Sequence, residues 1–220
     1  TKISFINEIA NICDKLNIDV EAVRKGIGAD SRIGYSFIYP GAGFGGSCFP
    51  KDVKAIIHAA KKAGVDPMVL NAVIKRNQRQ KSRMFDYICE KYGSDLNGQT
   101  FAVWGLAFKP GTDDMREASS VNIITSLIEA GASVQAFDPV ANEVAAKKFP
   151  QKWISENKLT LVDDNYTALE NSDALILMTE WKMFRNPCIG KMKEKMKKLS
   201  IFDGRNQYDP EYMKKYGFEY

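Results

Sequence analysis

Histidine is nearly missing from this sequence: 220 residues hold one, His58. Four cysteines, Cys13, Cys48, Cys89 and Cys188, stand far apart with no C-x-x-C spacing. Zinc chemistry draws on clustered Cys and His, so no metal site is expected, and at this length neither is a disulfide scaffold. Such cysteine usage suits a reducing compartment. No apolar run approaches the ~20 residues needed to cross a bilayer, and no basic-then-apolar leader opens the chain. The expectation is a cytoplasmic protein with no membrane contact. Charge of one sign is scarce too, since 31 Lys and Arg face 27 Asp and Glu for a net charge of +4. The densest basic stretch, Lys191 to Lys198, alternates with methionine as on a solvated helix face, which argues against a nucleic-acid partner. A starting methionine is also missing. Ile3, Ile6, Ile9, Ala10 and Cys13 already recur at helical spacing, and the opening reads as a helix cut from a longer protein.

What the sequence does have is glycine, concentrated where it matters. Pro40-Gly41-Ala42-Gly43-Phe44-Gly45-Gly46-Ser47-Cys48-Phe49-Pro50-Lys51-Asp52 places four glycines in six positions and runs straight into a helix. Glycine lets a backbone take positive φ and approach a ligand closely. Pro50 suits a first helical turn, and Val53, Ile56, Ile57 and Ala60 follow at helical spacing. Cys48 therefore stands at a helix N-terminus. The helix dipole and Lys51 both favour a thiolate there, which predicts a nucleophile with its pKa below the ordinary value of about 8.5. A structural turn around a small cysteine is the plainer alternative.

The rest of the chain reads as two bodies. Residues 1–95 are helical in pattern: a first helix to Asn17, a short one from Asp19 to Gly26, the cysteine helix, and a long helix from Pro67 to about Tyr92 with Asp66 as N-cap. The long helix is apolar at both ends and polar over Lys75 to Lys81, as expected of a connector between packed bodies. Tyr35, Phe37 and Tyr39 alternate with smaller residues and can offer rings to a planar base. His58 reads as a surface or interface residue. Over 96–220 strands and helices alternate, with strands at 100–106, 133–137, 159–162, 174–178 and 199–202. That order predicts α/β architecture, an all-helical domain joined by a long helix to a doubly wound parallel sheet of Rossmann-like form. Gly105 to Glu117 follows the first strand, where such domains place phosphate. It departs from G-x-G-x-x-G after Gly105, and Lys109 and Arg116 are the groups suited to phosphate.

Gly43 to Asp52 resembles the active-site signature of the UDP-glucose/GDP-mannose dehydrogenase family, and Gly105 to Asp114 with Arg116-Glu117 resembles its second signature. Thr179 to Phe184 and Asp203 to Asn206 are similar to further marks of that family, so the resemblance spans the chain. It implies an NAD-dependent oxidation of UDP-glucose to UDP-glucuronate, with Cys48 as nucleophile through a thiohemiacetal and thioester and Asp52 helping to activate water. It implies substrate contacts at Arg32, Phe37, Ile38, Tyr39, Pro40, Gly41, Phe44, Gly45, Phe108, Lys109 and Arg205, with Arg32 reaching across a homodimer interface of the helical domain. Ser47, Lys51 and Arg116 are implied NAD contacts, while Glu180 and Trp181 read as structural. GDP-mannose, a UDP-N-acetylhexosamine, or a non-catalytic nucleotide-binding and dimerisation module remain alternatives. The family's NAD-binding domain and a lysine–asparagine pair upstream of the cysteine are not in these residues, so this chain alone is expected to be inactive.

Overall fold

The computed structural model describes residues 1–220. Four helices come first. α1 (Lys2–Leu16) ends at Asn17, which takes a left-handed φ of 54°. α2 (Val20–Gly28) is capped by Asp19, whose carboxylate accepts the Glu21 N–H; it runs past Gly26, which meets no steric demand to stop. α3 (Phe49–Lys62) begins directly after Cys48, with Pro50 in its first turn. α4 (Met68–Tyr92) has 25 residues, about 38 Å at 1.5 Å per residue. Its cap differs from expectation: Pro67 occupies the N-cap position with ψ 58°, and no side chain closes the end.

Five parallel strands follow in the order β3-β2-β1-β4-β5. They are β1 (Thr100–Trp104), β2 (Ser133–Phe137), β3 (Leu159–Leu161), β4 (Ala174–Leu177) and β5 (Ile201–Asp203). The sheet is doubly wound from β1 outward, with α5 (Ser119–Glu129), α6 (Asn142–Lys148), α7 (Gln151–Ser155), α8 (Ile189–Lys195) and α9 (Pro210–Lys215) among the connections. Near-continuous apolar strands make sense because both faces are covered. Phe101 and Val103 of β1, with Ala174 and Ile176 of β4, enter one core beside Ile123, Ile124 and Leu127 of α5. Their alternates Ala102, Trp104, Leu175 and Leu177 enter a second core on the opposite face with Phe184. The side-chain period of two thus divides each strand between two cores.

α4 ties the helical part to the sheet. Its first half lies against α1, where Ser4 donates to the Val73 carbonyl at 3.1 Å and Arg76 pairs with Glu8 at 3.0 Å. Its second half enters the sheet core through Met84 and Ile88, and Tyr92 packs edge-on to Phe101 at 5.6 Å. No helix is long and apolar enough to cross a membrane.

Candidate active site at the cysteine loop

The glycine-rich loop leaves α1 and α2 behind without strand or helix partners, so its backbone groups must be satisfied by side chains. Asn77 of α4 pairs with both backbone groups of one residue: its Oδ1 accepts the Phe44 N–H at 2.8 Å, and its Nδ2 donates to the Phe44 carbonyl at 2.9 Å. Gln80 donates to the Gly41 carbonyl at 2.8 Å, and Asn7 of α1 accepts the Gly41 N–H at 2.7 Å. Ser119, at the start of α5, donates to the Ala42 carbonyl at 2.7 Å. Sequence pattern reads the polar middle of α4 only as part of a connector between packed bodies. In the structure Asn77, Gln80 and Lys81 are buried, because that stretch carries the loop.

The loop after β1 docks onto the same segment. The Gly46 N–H donates to the Arg116 carbonyl at 2.7 Å. A Cβ at Gly45 would sit 2.4 Å from the Glu117 carbonyl oxygen, and one at Gly46 would sit 2.8 Å from the Phe108 ring. Only glycine allows this approach. Lys81 closes the junction, donating to the Glu117 backbone carbonyl at 2.8 Å and to its carboxylate at 2.9 Å. Glu117 holds a φ of 55°, a conformation that costs a side-chain-bearing residue about 1–2 kcal/mol. The Lys81 ammonium, aided by Lys54, holds the Glu117 carboxyl below the usual carboxylate range. Asp138, after β2, accepts the Leu106 and Ala107 N–H groups, and Thr179 donates to the Ala107 carbonyl at 2.6 Å. The second loop is therefore as firmly held as the first.

Cys48 is exposed at the start of α3, its sulfur 3.7 Å from the Ser47 hydroxyl. Lys51 and Asp52 pair at 3.1 Å on the open side of the same turn. Phe49 meets Phe37 and Phe44 edge-on at 6.0 and 6.3 Å. These rings line a cavity of about 290 Å³ with Lys2, Ile3, Val53 and Val73. Arg205 stands between the two loops. Its Nε donates to the Met178 carbonyl at 2.7 Å and pairs with Glu180 at 3.0 Å, its Nη2 donates to the Phe108 carbonyl at 3.2 Å, and its Nη1 lies 3.3 Å from where a Gly41 Cβ would be. The Arg205 turn is organised by Asp203, whose carboxylate accepts the N–H groups of Arg205, Gln207 and Tyr208 and the Tyr220 hydroxyl. Burial pushes the Asp203 carboxyl up despite these donors.

The geometry thus gathers Pro40, Gly41, Phe44, Gly45, Ser47, Cys48, Lys51, Asp52, Phe108, Arg116 and Arg205 around one junction. Phe37 has a left-handed φ of 65° and an exposed ring, and Tyr39 is exposed with the Arg24 guanidinium 4.4 Å from its ring centre. Ile38, expected as a substrate contact, is fully buried, backbone included, and presents no surface to a ligand. Lys109 lies with Nζ 5.5 Å from the Phe108 ring centre. Arg116 pairs with Asp114 at 2.8 Å. Arg32 is not drawn to the junction: its guanidinium folds back on Asp30 at 2.6 Å in an exposed turn. Glu180 pairs with Arg205, and Trp181 donates to Asp138 at 3.1 Å, so both support the site from behind. Sequence reasoning missed Asn7, Asn77, Gln80, Lys81, Glu117, Ser119, Asp138 and Asp203. The one available signal was three polar residues at i, i+3 and i+4 on a single helix face, Asn77, Gln80 and Lys81.

Fold and geometry together define a class: a doubly wound α/β protein whose loops at the carboxyl ends of the strands are clamped to a helical part bearing an exposed thiol at a helix start. Residues 1–79 match the central domain, and residues 102–210 the UDP-binding domain, of the UDP-glucose/GDP-mannose dehydrogenase family; the chain belongs to that family. It is 49% identical over its whole length to UDP-glucose 6-dehydrogenase of Pseudomonas aeruginosa, covering 48% of that protein. It is 42% identical, again throughout, to UDP-glucose 6-dehydrogenase TuaD of Bacillus subtilis, covering 46% of it. A solved UDP-glucose dehydrogenase from Pyrobaculum islandicum superposes on 94% of this chain with a TM-score of 0.82 at 33% identity, and 44% of that structure is covered. The chain spans about half the length of the curated relatives it matches.

Proposed function

We propose that this chain supplies the helical and nucleotide-sugar-binding parts of an NAD-dependent UDP-glucose 6-dehydrogenase, which oxidises UDP-glucose to UDP-glucuronate. The observation that carries this reading is the docking of the thiol loop onto the loop after β1, through Gly45 against Glu117 and Gly46 against Arg116. In doubly wound folds ligands bind outside the carboxyl ends of the strands. A nucleotide held there by Phe108, Lys109 and Arg205 extends its sugar toward Cys48. Phe37, Tyr39, Pro40, Gly41, Phe44 and Gly45 enclose the uridine diphosphate. Division of labour falls at residues 1–95 for the thiol and at 96–220 for the nucleotide.

The Cys48 thiolate attacks the C6 aldehyde carbon left by the first oxidation, giving a thiohemiacetal. Loss of a hydride from that carbon gives a thioester on Cys48, and water releases the uronate and the thiol. Asp52, one turn into α3, takes a proton from that water. NAD, when bound, accepts the two hydrides. The residues present suit the edge of that group: the Ser47 hydroxyl and the exposed Lys51 and Arg116 cations flank the thiol. The loop after β1 offers no G-x-G-x-x-G cradle for it. With no such cradle after a strand among residues 1–220, the NAD-binding part is expected to lie outside them, and this chain alone is expected to be inactive. A cytoplasmic homodimer completes the reading, supported by the exposed apolar residues Ile56, Val65, Met68 and Val69 on and after α3, with Arg32 serving the partner's site.

NAD reduction by the intact protein, with UDP-glucose, GDP-mannose and UDP-N-acetylglucosamine offered separately, tests the reading. Two NADH per UDP-glucose, with little or no turnover of the other two and loss of turnover in Cys48→Ser, is expected. Preference for another nucleotide sugar would reassign the substrate, and oxidation of none would leave a binding module.

A further inference from the structure

Arg24, on α2, is only 8% exposed, and a cation so buried is costly unless it is paired. Glu21, one turn earlier, supplies the pairing: its carboxylate accepts from Nε and from Nη2 at 2.6 Å each. The third nitrogen, Nη1, is buried with no acceptor. Its surroundings are aromatic instead, with the guanidinium carbon 4.4 Å over the centre of the Tyr39 ring and 5.7 Å over that of Tyr35. Gly28 lies four residues on along the same helix face and makes room for this, since a Cβ there would sit 2.4 Å from the Tyr35 ring. A pair that only balanced charge on α2 would leave the guanidinium in water, where Nη1 would be solvated.

The two rings belong to a segment with little else to hold it. Residues 35–39 make no backbone hydrogen bond, and of their side chains only Ile38 is buried. Phe37, between the rings, takes a φ of 65°, uncommon for a bulky residue, and its ring turns to Phe49 at 6.0 Å. Past Tyr39 the chain is firm again, because Asn7 and Gln80 fix Gly41, whose would-be Cβ lies 3.3 Å from Arg205 Nη1. Tyr39 thus stands where an unsupported segment joins the loop at the nucleotide site. We infer that Arg24 is a positioning residue: held by Glu21 and backed by Tyr35 on Gly28, its guanidinium plane fixes the Tyr39 ring at the mouth of that site. A planar cation stacked on a ring restrains its tilt, which the point charge of a lysine does not. The inference rests on the proposed placement of the uridine diphosphate against Tyr39, and its test does not need turnover.

The test is UDP binding to the intact protein by titration calorimetry. Arg24→Met keeps the stem and loses the plane, and is expected to raise the UDP dissociation constant about 5-fold, as loss of one desolvated cation–π contact does. Tyr39→Leu is expected to raise it at least as much, and Arg24→Met in the Tyr39→Leu background to raise it no further, because Arg24 acts through that ring. A merely structural arginine would add its effect to that of Tyr39→Leu. Arg24→Lys is expected to behave as Arg24→Met does. Should Arg24→Met fail to fold, Glu21→Ala, at a partly exposed position, releases the guanidinium and is expected to weaken UDP binding in the same Tyr39-dependent way. Chymotrypsin reads the segment without nucleotide: cleavage after Tyr35 and Phe37 is expected to be faster in Arg24→Met, with cleavage after the exposed Tyr212 unchanged. An unchanged dissociation constant in folded Arg24→Met or Glu21→Ala, full affinity in Arg24→Lys, additivity with Tyr39→Leu, or unchanged cleavage at Tyr35 and Phe37 overturns the inference. A parent that binds no UDP overturns it as well. A parent that binds UDP and responds as expected, yet oxidises no nucleotide sugar, upholds the positioning role while the dehydrogenase reading fails.

Discussion

Gly45 shows how one missing side chain sets the geometry of the whole site. Its would-be Cβ lies 2.4 Å from the Glu117 carbonyl, a backbone atom that cannot swing aside as a side-chain tip can. Gly45→Ala must therefore push the two loops apart by about 1 Å, and a misplacement of that size costs on the order of 100-fold in turnover. Steady-state NADH production by the intact protein is the check, with fold retained by circular dichroism. Glu117 itself makes a pH prediction. Its carboxyl is held below the ordinary carboxylate range, first by Lys81. A depressed carboxylate contributes stability above its unfolded pKa of about 4.3 and loses it as pH falls through the folded value. Glu117→Gln should thus be less stable than the parent to urea at pH 7, and the gap should narrow as the pH falls below the unfolded value and through the folded one. The glycines and Cys48 were legible in the sequence because backbone freedom and helix-start chemistry are local. Glu117 was not, since the lysine that grips it, Lys81, lies 36 residues away in the chain.

At the level of elements, α4 has two duties that its sequence shows unequally. Its apolar second half announces a packed helix, and Met84 and Ile88 enter the sheet core as that pattern suggests. The polar stretch from Lys75 to Lys81 reads only as the middle of a connector, and the i, i+3, i+4 spacing of Asn77, Gln80 and Lys81 is its one hint of bonding to a distant loop. Three of those seven residues, Asn77, Gln80 and Lys81, are in fact buried against the loops. Asn77→Ala removes an amide that pairs both the N–H and the carbonyl of Phe44, leaving two part-buried backbone groups without that partner. The expected loss is about 1–3 kcal/mol per orphaned group, read as a lower thermal midpoint. Asn77→Asp keeps the acceptor for the Phe44 N–H, faces the Phe44 carbonyl with a second acceptor, and should recover only part of that loss. The strands were the most legible elements of all, since apolar runs separated by helical stretches leave a parallel sheet buried on both faces as the consistent solution.

For the molecule as a whole, the sheet and the helical part act as one support for the junction between the two loops. Alternating strand and helix order was enough to read the doubly wound architecture, and the two signatures were enough to read the family. What the sequence could not show was that both loops are clamped from behind by Lys81, Asp138 and Asp203, each acting over long chain separations. The apolar face of α3 finds little cover within one chain: Ile56 is 55% exposed and Pro50 is the helix's only buried residue. A second copy of the protein is the proposed cover. Ile56→Asp is therefore expected to convert the intact protein from dimer to monomer in light scattering, with a folded circular-dichroism spectrum kept.

The central claim is that Cys48 carries the sugar between its two oxidations. Its most direct test is the mass of the Cys48 peptide after the intact Asp52→Asn protein is mixed with UDP-glucose and NAD and quenched in acid. With water activation weakened, the account predicts a peptide heavier by the uronyl thioester of the nucleotide sugar, absent from the Cys48→Ser control. An unmodified Cys48 peptide from protein that has nevertheless reduced NAD would contradict it.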